Sequence, residues 1–290
     1  MNQANRIMWN GTVRALPLKE QLRAAAIAGC QALSVTPSDY NKWLGASIST
    51  HDMLSMADDA GVRITHLDPF VRWVEEWMPD LPAQDFPTHS IAFDAEDFFR
   101  MAAALKVQSF TVWGGFPAGR YTTPQLIDAF GALCRRADRE GLRCDLEFIP
   151  VFGIRDLRTA WQIVDGAGAA NGGIVLDLWH YMRGGRDDAL LRSIPGDKIT
   201  GVQICDATEK VPDGMSLAFD GLNNRRAPGD GEFPIAEILD VLRESGGLNI
   251  VGPEIFSLQF DRMSAKAIGE KSRAILDWAL APRPQDRAMV

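Results

Sequence analysis

The sequence predicts an α/β protein built as one closed (β/α)8 barrel, and three observations lead there. Short apolar runs alternate regularly with longer amphipathic runs along the chain, and eight such pairs can be counted. Parallel strands joined by crossover helices form a sheet buried on both faces, and eight units close it into a barrel. The length of 290 residues suits a barrel as a single unit. An open doubly wound sheet is the alternative. It would carry a glycine-rich phosphate turn after an early strand, and no G-x-G-x-x-G occurs.

The units follow in order. "RIMWNG" is the first strand and "LKEQLRAAAIAG" the first helix, stopped by Gly29. "ALSVTP" and "STHDMLSMADDAG" are the second pair, with Ser49 or Thr50 as N-cap and Gly61 as stop. "VRITHLD" is the third strand; a long connection, 69–90, precedes its helix "DAEDFFRMAAALK". "SFTVWGG" leads to "TPQLIDAFGALCRRADREG", which opens on Thr-Pro and closes on Gly141. "LRCDLEFIP" is followed by "DLRTAWQIVDGAG", and "GGIVLDLWH" by a short helix near "RDDALLRSIP". "ITGVQICDA" runs into a long loop, 208–233, before "PIAEILDVLRESG". "LNIVGPEIF" and "RMSAKAIGEKSRAILDWAL" complete the alternation. The barrel is expected over 1–281, with 282–290 as a loose polar tail.

Composition narrows the partners. With 38 acidic and 30 basic residues the net charge is −8, which argues against a nucleic-acid partner. No run approaches membrane-spanning length, and the start "MNQANRIMWNG" lacks a signal-peptide core. Cys30, Cys134, Cys144 and Cys205 form no C-x-x-C pair. They read as free thiols in a reducing compartment, so a cytoplasmic protein is expected.

In such a barrel the C-terminal strand ends converge on the active site. Here they are polar. "CDLE" ends in Glu147, "IVLD" in Asp177, "GVQ" carries Gln203, and "IVGPE" carries Glu254. Three carboxylates facing one spot repel unless a cation joins them. All-oxygen donors favour a hard or borderline ion such as Mg2+ or Mn2+, with Co2+ a further option. His180, three residues past Asp177, is placed to move a proton near neutral pH.

The segments "LEFIP", "LDLWH", "VQICDA", "RRAPGDGEFP" and "GPEIF" resemble the xylose-isomerase-like TIM barrels. That superfamily holds ketose 3-epimerases, inosose dehydratases, 3-dehydroshikimate dehydratases and the endonuclease IV group. The resemblance implies one divalent metal on Glu147, Asp177, Gln203 and Glu254, with His180 in the substrate-contacting or catalytic position. The epimerases usually carry His where Gln203 stands; glutamine followed by an acidic residue, Asp206, and the "APGDGEFP" loop look more like the dehydroshikimate dehydratases.

Two reactions are therefore expected, the first ahead of the second. One is isomerisation or epimerisation of a polyhydroxylated keto substrate, with Glu147 and Glu254 exchanging protons on opposite faces. The other is a dehydration of the dehydroshikimate or inosose type, with His180 as the base. Four histidines and the acidic balance disfavour an endonuclease; a non-catalytic binding module is the remaining alternative. His66 pairs with a substrate hydroxyl or packs. Trp113, like Trp9, walls the pocket or fills the core. Arg225 and Arg226 clamp an anion or are solvated. The third-strand loop carries Phe70, Trp73 and Trp77, and the helical spacing of Trp73 and Trp77 predicts one apolar face packed over the barrel mouth, as a lid or a homo-oligomer contact. His51 is expected at the surface, and His89 has no assigned role.

Overall fold

The computed structural model describes residues 5–77 and 91–282, in which eight parallel strands close into one barrel in sequence order. The strands are β1 (Asn5–Met8), β2 (Ala32–Val35), β3 (Arg63–Phe70), β4 (Ser109–Trp113), β5 (Arg143–Glu147), β6 (Gly172–Asp177), β7 (Ile199–Ile204) and β8 (Ile250–Pro253). Closure is made by β1 on β8, with Asn5 opposite Ile250 and Arg6 opposite Val251. The polar tail 283–290, the start 1–4, and residues 78–90 with His89 lie outside the described residues.

The helices are α1 (Asn10–Val13), α2 (Leu18–Ala28), α3 (Pro37–Gly45), α4 (Thr50–Asp59), α5 (Ala95–Leu105), α6 (Thr123–Asp138), α7 (Leu157–Ala167), α8 (Leu178–Arg183), α9 (Asp188–Ser193), α10 (Leu217–Asn223), α11 (Ile235–Ser245) and α12 (Ala265–Ala279). Their ends follow capping chemistry. Ser49 opens α4 and Thr122 opens α6 through reciprocal capping boxes. Gly29, Gly168 and Gly246 end α2, α7 and α11 in the left-handed conformation. Among the described residues no helix is long and apolar enough to cross a membrane.

Several expectations are corrected. The first strand stops at Met8, and Trp9 opens α1. The "LWH" expected to extend the sixth strand is the first turn of α8. Helices α1, α3, α8 and α10 are four to nine residues long, too short for an apolar period to separate them from loop. Phe70 belongs to β3 and packs in the main core against Phe98 and Phe110. Trp73 and Trp77 do not share a helical face. Trp73 packs against Phe116 and Phe130, while Trp77 joins a separate cluster around Val71, Ile149 and Phe152.

The barrel interior holds many polar side chains. Ser34, His66, Asp68, Ser109, Thr111, Asp145, Glu147, Asp177, Gln203 and Glu254 are all buried. Side chains alternate across a strand with period two, so His66 and Asp68 share one face of β3, and Asp145 and Glu147 one face of β5. The four cysteines are buried and unpaired.

Candidate active site

The site grows out of the junction between β6 and α8. Asp177 ends the strand and caps the helix, its Oδ1 accepting the backbone N–H of His180 at 2.9 Å. That bond explains the three-residue spacing, which is the distance from an N-cap to the third helical residue. It also fixes where the imidazole stands. His180 Nε2 lies 3.4 Å from Glu147 Oε1. Glu147, Asp177 and His180 each offer a donor atom, all within 4.8 Å of one another, and all three are buried.

The other oxygen of Asp177 is held by Arg225, whose Nη1 lies 2.5 Å from Oδ2. The guanidinium also donates to the carbonyl oxygens of Gly221 (2.7 Å) and Glu254 (3.3 Å), and stands 3.9 Å from Glu254 Oε2. It is sandwiched by the rings of Trp179 and Phe256, 5.4 and 4.9 Å away, and its side chain is 1 % exposed. Arg225 is thus a buried counter-ion of the carboxylates. Arg226 goes elsewhere, donating to the carbonyl of Asp230 at 3.1 Å, and does not line the cavity.

Gln203 sits beside Asp177 in register between β6 and β7. Neither its amide nitrogen nor its oxygen has a hydrogen-bond partner, although both are buried. Such orphans are rare, and each points to something that binds there. Asp68 adds another: its Oδ2 accepts from Asn10 Nδ2 at 3.0 Å, while Oδ1 is buried without a partner. His180 Nδ1 is a third.

The electrostatics follow from four buried carboxylates and one guanidinium. Burial, then the Asp177 charge, pushes Glu147 up to about 8, against the opposing pull of Trp113 and Arg225. Burial and the neighbouring carboxylates, Glu147 first, raise Glu254 and Asp68 well above the carboxylate range. Burial would raise Asp177 too, but Arg225 and then His180 hold it below its ordinary value. Burial drives His180 down to about 3, leaving a neutral imidazole. A site with this charge deficit, and with carboxylate, imidazole and amide atoms lacking partners, fits a divalent cation.

A cavity opens beside these groups. Glu147, His180, Arg225 and Glu254 line it together with Trp113, Phe152, Leu222 and Phe256. Trp113 Nε1 donates to Glu147 Oε2 at 2.5 Å, orienting the carboxylate. His66 does not line the cavity: it lies within the barrel, bonded to Thr65 Oγ1 at 2.8 Å and packed edge-on against Trp9. Burial lowers its pKa to about 4.

The seventh-strand loop is held by two buried aspartates. Asp206 accepts the backbone N–H groups of Ala207, Gly229, Gly231 and Phe233 at 2.8–3.1 Å, so it shapes the "PGDGEF" turn from behind. A Cβ at Gly231 would fall 2.3 Å from its Oδ1. Asp220, on α10, accepts from Trp179 Nε1 at 2.9 Å and pairs with Arg183 at 3.0 Å, docking α10 onto α8. Gly221 lets that contact close, because a Cβ there would meet the Trp179 ring at 2.9 Å.

Sequence reasoning missed Asp68 and Asn10. The signal was present: Asp68 lies two residues beyond His66 on the same strand face. The Asp-Pro pair instead reads as the start of a turn.

Known proteins share this architecture. The chain is 28% identical to a 3-dehydroshikimate dehydratase of Pseudomonas putida over 243 residues, 83% of this chain and 36% of that protein. It is 29% identical to an inosose isomerase of Bacillus subtilis over 142 residues, 48% of this chain and 49% of the isomerase. The chain therefore spans about a third to a half of the length of these curated relatives. A solved IolI protein with a bound zinc atom superposes with a TM-score of 0.79 at 18% identity, covering 95% of this chain and 98% of that one. A model of the xylose isomerase-like TIM barrel family matches residues 22–278. That match runs from within α2 to within α12, and with the closed parallel barrel it establishes that the chain belongs to the xylose isomerase-like TIM barrel family.

Proposed function

We propose that this protein is an enzyme that removes a proton next to the carbonyl of a hydroxyketone, with one divalent metal ion held by Glu147, Asp177, Gln203 and Glu254. The single observation that carries this is the buried group of Glu147, Asp177 and His180 opening on an apolar cavity. A zinc atom in a protein of the same fold supports a divalent ion here; Mn2+ or Mg2+ suits the oxygen-rich donors best, with Co2+ as an alternative. When bound, the ion polarises the carbonyl and its neighbouring hydroxyl and so acidifies the intervening C–H.

The protein's own groups do the rest. Arg225 keeps Asp177 ionised, and Asp177 in turn anchors His180 through the α8 cap. Trp113 orients Glu147. In an isomerisation or epimerisation, Glu147 and Glu254 take a proton from one face of the carbon and return one to the other. The apolar walls keep bulk water from the site.

A second reaction is favoured by the length of the alignment to the dehydroshikimate dehydratases, 83% and 86% of this chain. There His180 accepts the proton through a ring nitrogen and returns it to a hydroxyl β to the carbonyl, which departs as water and leaves a conjugated product. One experiment tests both. The Mn2+-loaded protein is incubated in D2O with keto-sugars, inososes and dehydroshikimate, followed by mass spectrometry and ultraviolet absorption. Deuterium uptake without loss of water means isomerisation or epimerisation, and a new conjugated chromophore means dehydration. Absence of both across the panel refutes proton removal next to a carbonyl.

A further inference from the structure

The lining of the cavity restricts the substrate further than the reaction does, and the substrate class drawn from it rests on the proton-abstraction function proposed for the same site. Among the described residues, the charged and titratable lining is confined to Glu147, His180, Arg225 and Glu254. The wall is made of Trp113, Ile149, Val151, Phe152, Leu222 and Phe256. It is continuous with the cluster of Val71 and Ile91, so it is a built apolar surface rather than a few scattered side chains. The indole N–H groups on the lining are engaged inward, Trp113 on Glu147 and Trp179 on Asp220.

Charge sharpens the picture. Among the described residues, Arg225 is the only lysine or arginine lining the cavity. It is engaged by Asp177 and two carbonyls, and stacked between two rings. With the hydroxyketone edge at the metal ligands, a substrate carboxylate or phosphate at the opposite edge would lie along Ile149, Val151 and Leu222, where no described lining residue offers it a free lysine or arginine, and burying an unpaired charge is strongly unfavourable. Hydroxyls turned toward Ile149, Val151 or Leu222 would lose water and gain no partner.

We infer that the substrate is an uncharged ketone with its hydroxyl beside the carbonyl at one edge and an unsubstituted hydrocarbon or aromatic surface at the opposite edge. The hydroxyketone edge faces Glu147, His180 and Glu254; the apolar edge lies along Trp113, Phe152 and Leu222.

Three probes separate this from the alternatives: α-hydroxycyclohexanone (neutral, apolar far edge), an inosose (neutral, hydroxylated throughout) and 3-dehydroshikimate (a carboxylate). Binding is read by tryptophan fluorescence, with and without Mn2+, and deuterium incorporation by mass spectrometry is run on the same samples. α-Hydroxycyclohexanone is expected to bind about tenfold or more tightly than either of the others, a difference of about 1.4 kcal/mol. Leu222→Arg, which places a cation in the wall, is expected to bring 3-dehydroshikimate at least level with it. Tighter binding of inosose or 3-dehydroshikimate by the unaltered protein overturns the inference, as does binding of none of the three. An unchanged 3-dehydroshikimate affinity in a folded Leu222→Arg protein overturns the charge argument. Should the ranking hold with no deuterium uptake, the proton-abstraction function fails while the cavity assignment stands. Deuterium uptake with the ranking reversed does the opposite.

Discussion

Replacing Arg225 with methionine removes the counter-ion of the site while keeping most of the side-chain volume. The guanidinium reaches Asp177 Oδ2 at 2.5 Å with both side chains essentially unexposed, so water cannot substitute for it. The carbonyls of Gly221 and Glu254 lose a donor as well. Removing one partner of a buried pair costs about 3–5 kcal/mol, because the other charge is left uncompensated. For a domain of this size each kcal/mol lowers the melting temperature by roughly 2–4 °C. Arg225→Met should therefore melt roughly 6–20 °C below the unaltered protein in chelator, by circular dichroism. Asp177→Asn is the companion variant, since asparagine caps a helix about as well as aspartate and α8 should survive. Combining the two should cost less than the sum of the single losses by about 1–3 kcal/mol. A divalent metal at about a hundred times its dissociation constant should return about 2.7 kcal/mol to the Arg225→Met protein. If Arg225→Met unfolds within about 1 kcal/mol of the unaltered protein, or if the two substitutions simply add, the buried pair is not what neutralises this site.

Other substitutions test separate parts of the site. Glu254→Gln keeps the shape but removes charge and basicity, and turnover should fall by about 10²–10⁴-fold with the circular dichroism spectrum retained; more than a tenth of the activity remaining contradicts a proton-transfer role. Gln203→His should keep a bound metal and move the metal ranking toward Co2+ or Zn2+, since imidazole is a softer donor than an amide oxygen. Metal-dependence profiles beside melting curves decide it, and an altered melting temperature with an unchanged ranking removes Gln203 from the ligand set. Asp206→Ala strands four backbone N–H groups of the seventh-strand loop and should cost at least about 2 kcal/mol in guanidinium denaturation. Unchanged stability would mean that the "PGDGEF" turn holds itself.

Much of the architecture was legible because parallel strands announce themselves twice. Buried on both faces, they read as apolar runs, and a polar residue at the end of such a run stands out. Glu147, Asp177, Gln203 and Glu254 were visible for that reason. Helix ends were legible where capping is a local bond, as at Ser49 and Gly29. The "DLWH" stretch could be misread because a six-residue helix has no period to detect. Trp73 and Trp77 have helical spacing in the sequence, yet their segment is not helical and they pack into different clusters.

By itself the sequence determined the eight-fold alternation, the absence of a phosphate turn, and which strands end in oxygen-bearing side chains. These depend on local pattern, on alternation across a strand and on the spacing of one helical turn. Only the tertiary structure decided how charge is distributed at the barrel mouth. Arg225 finds Asp177 from 48 positions away. Asp68 joins the carboxylates although it precedes a proline, and His66, two residues earlier on the same strand face, packs on Trp9 and stays off the cavity. Depth along the barrel axis is set by the register between neighbouring strands, and the partner of a buried charge by which loops fold back over it. Both are relations between segments far apart in the chain, so no window of sequence contains them.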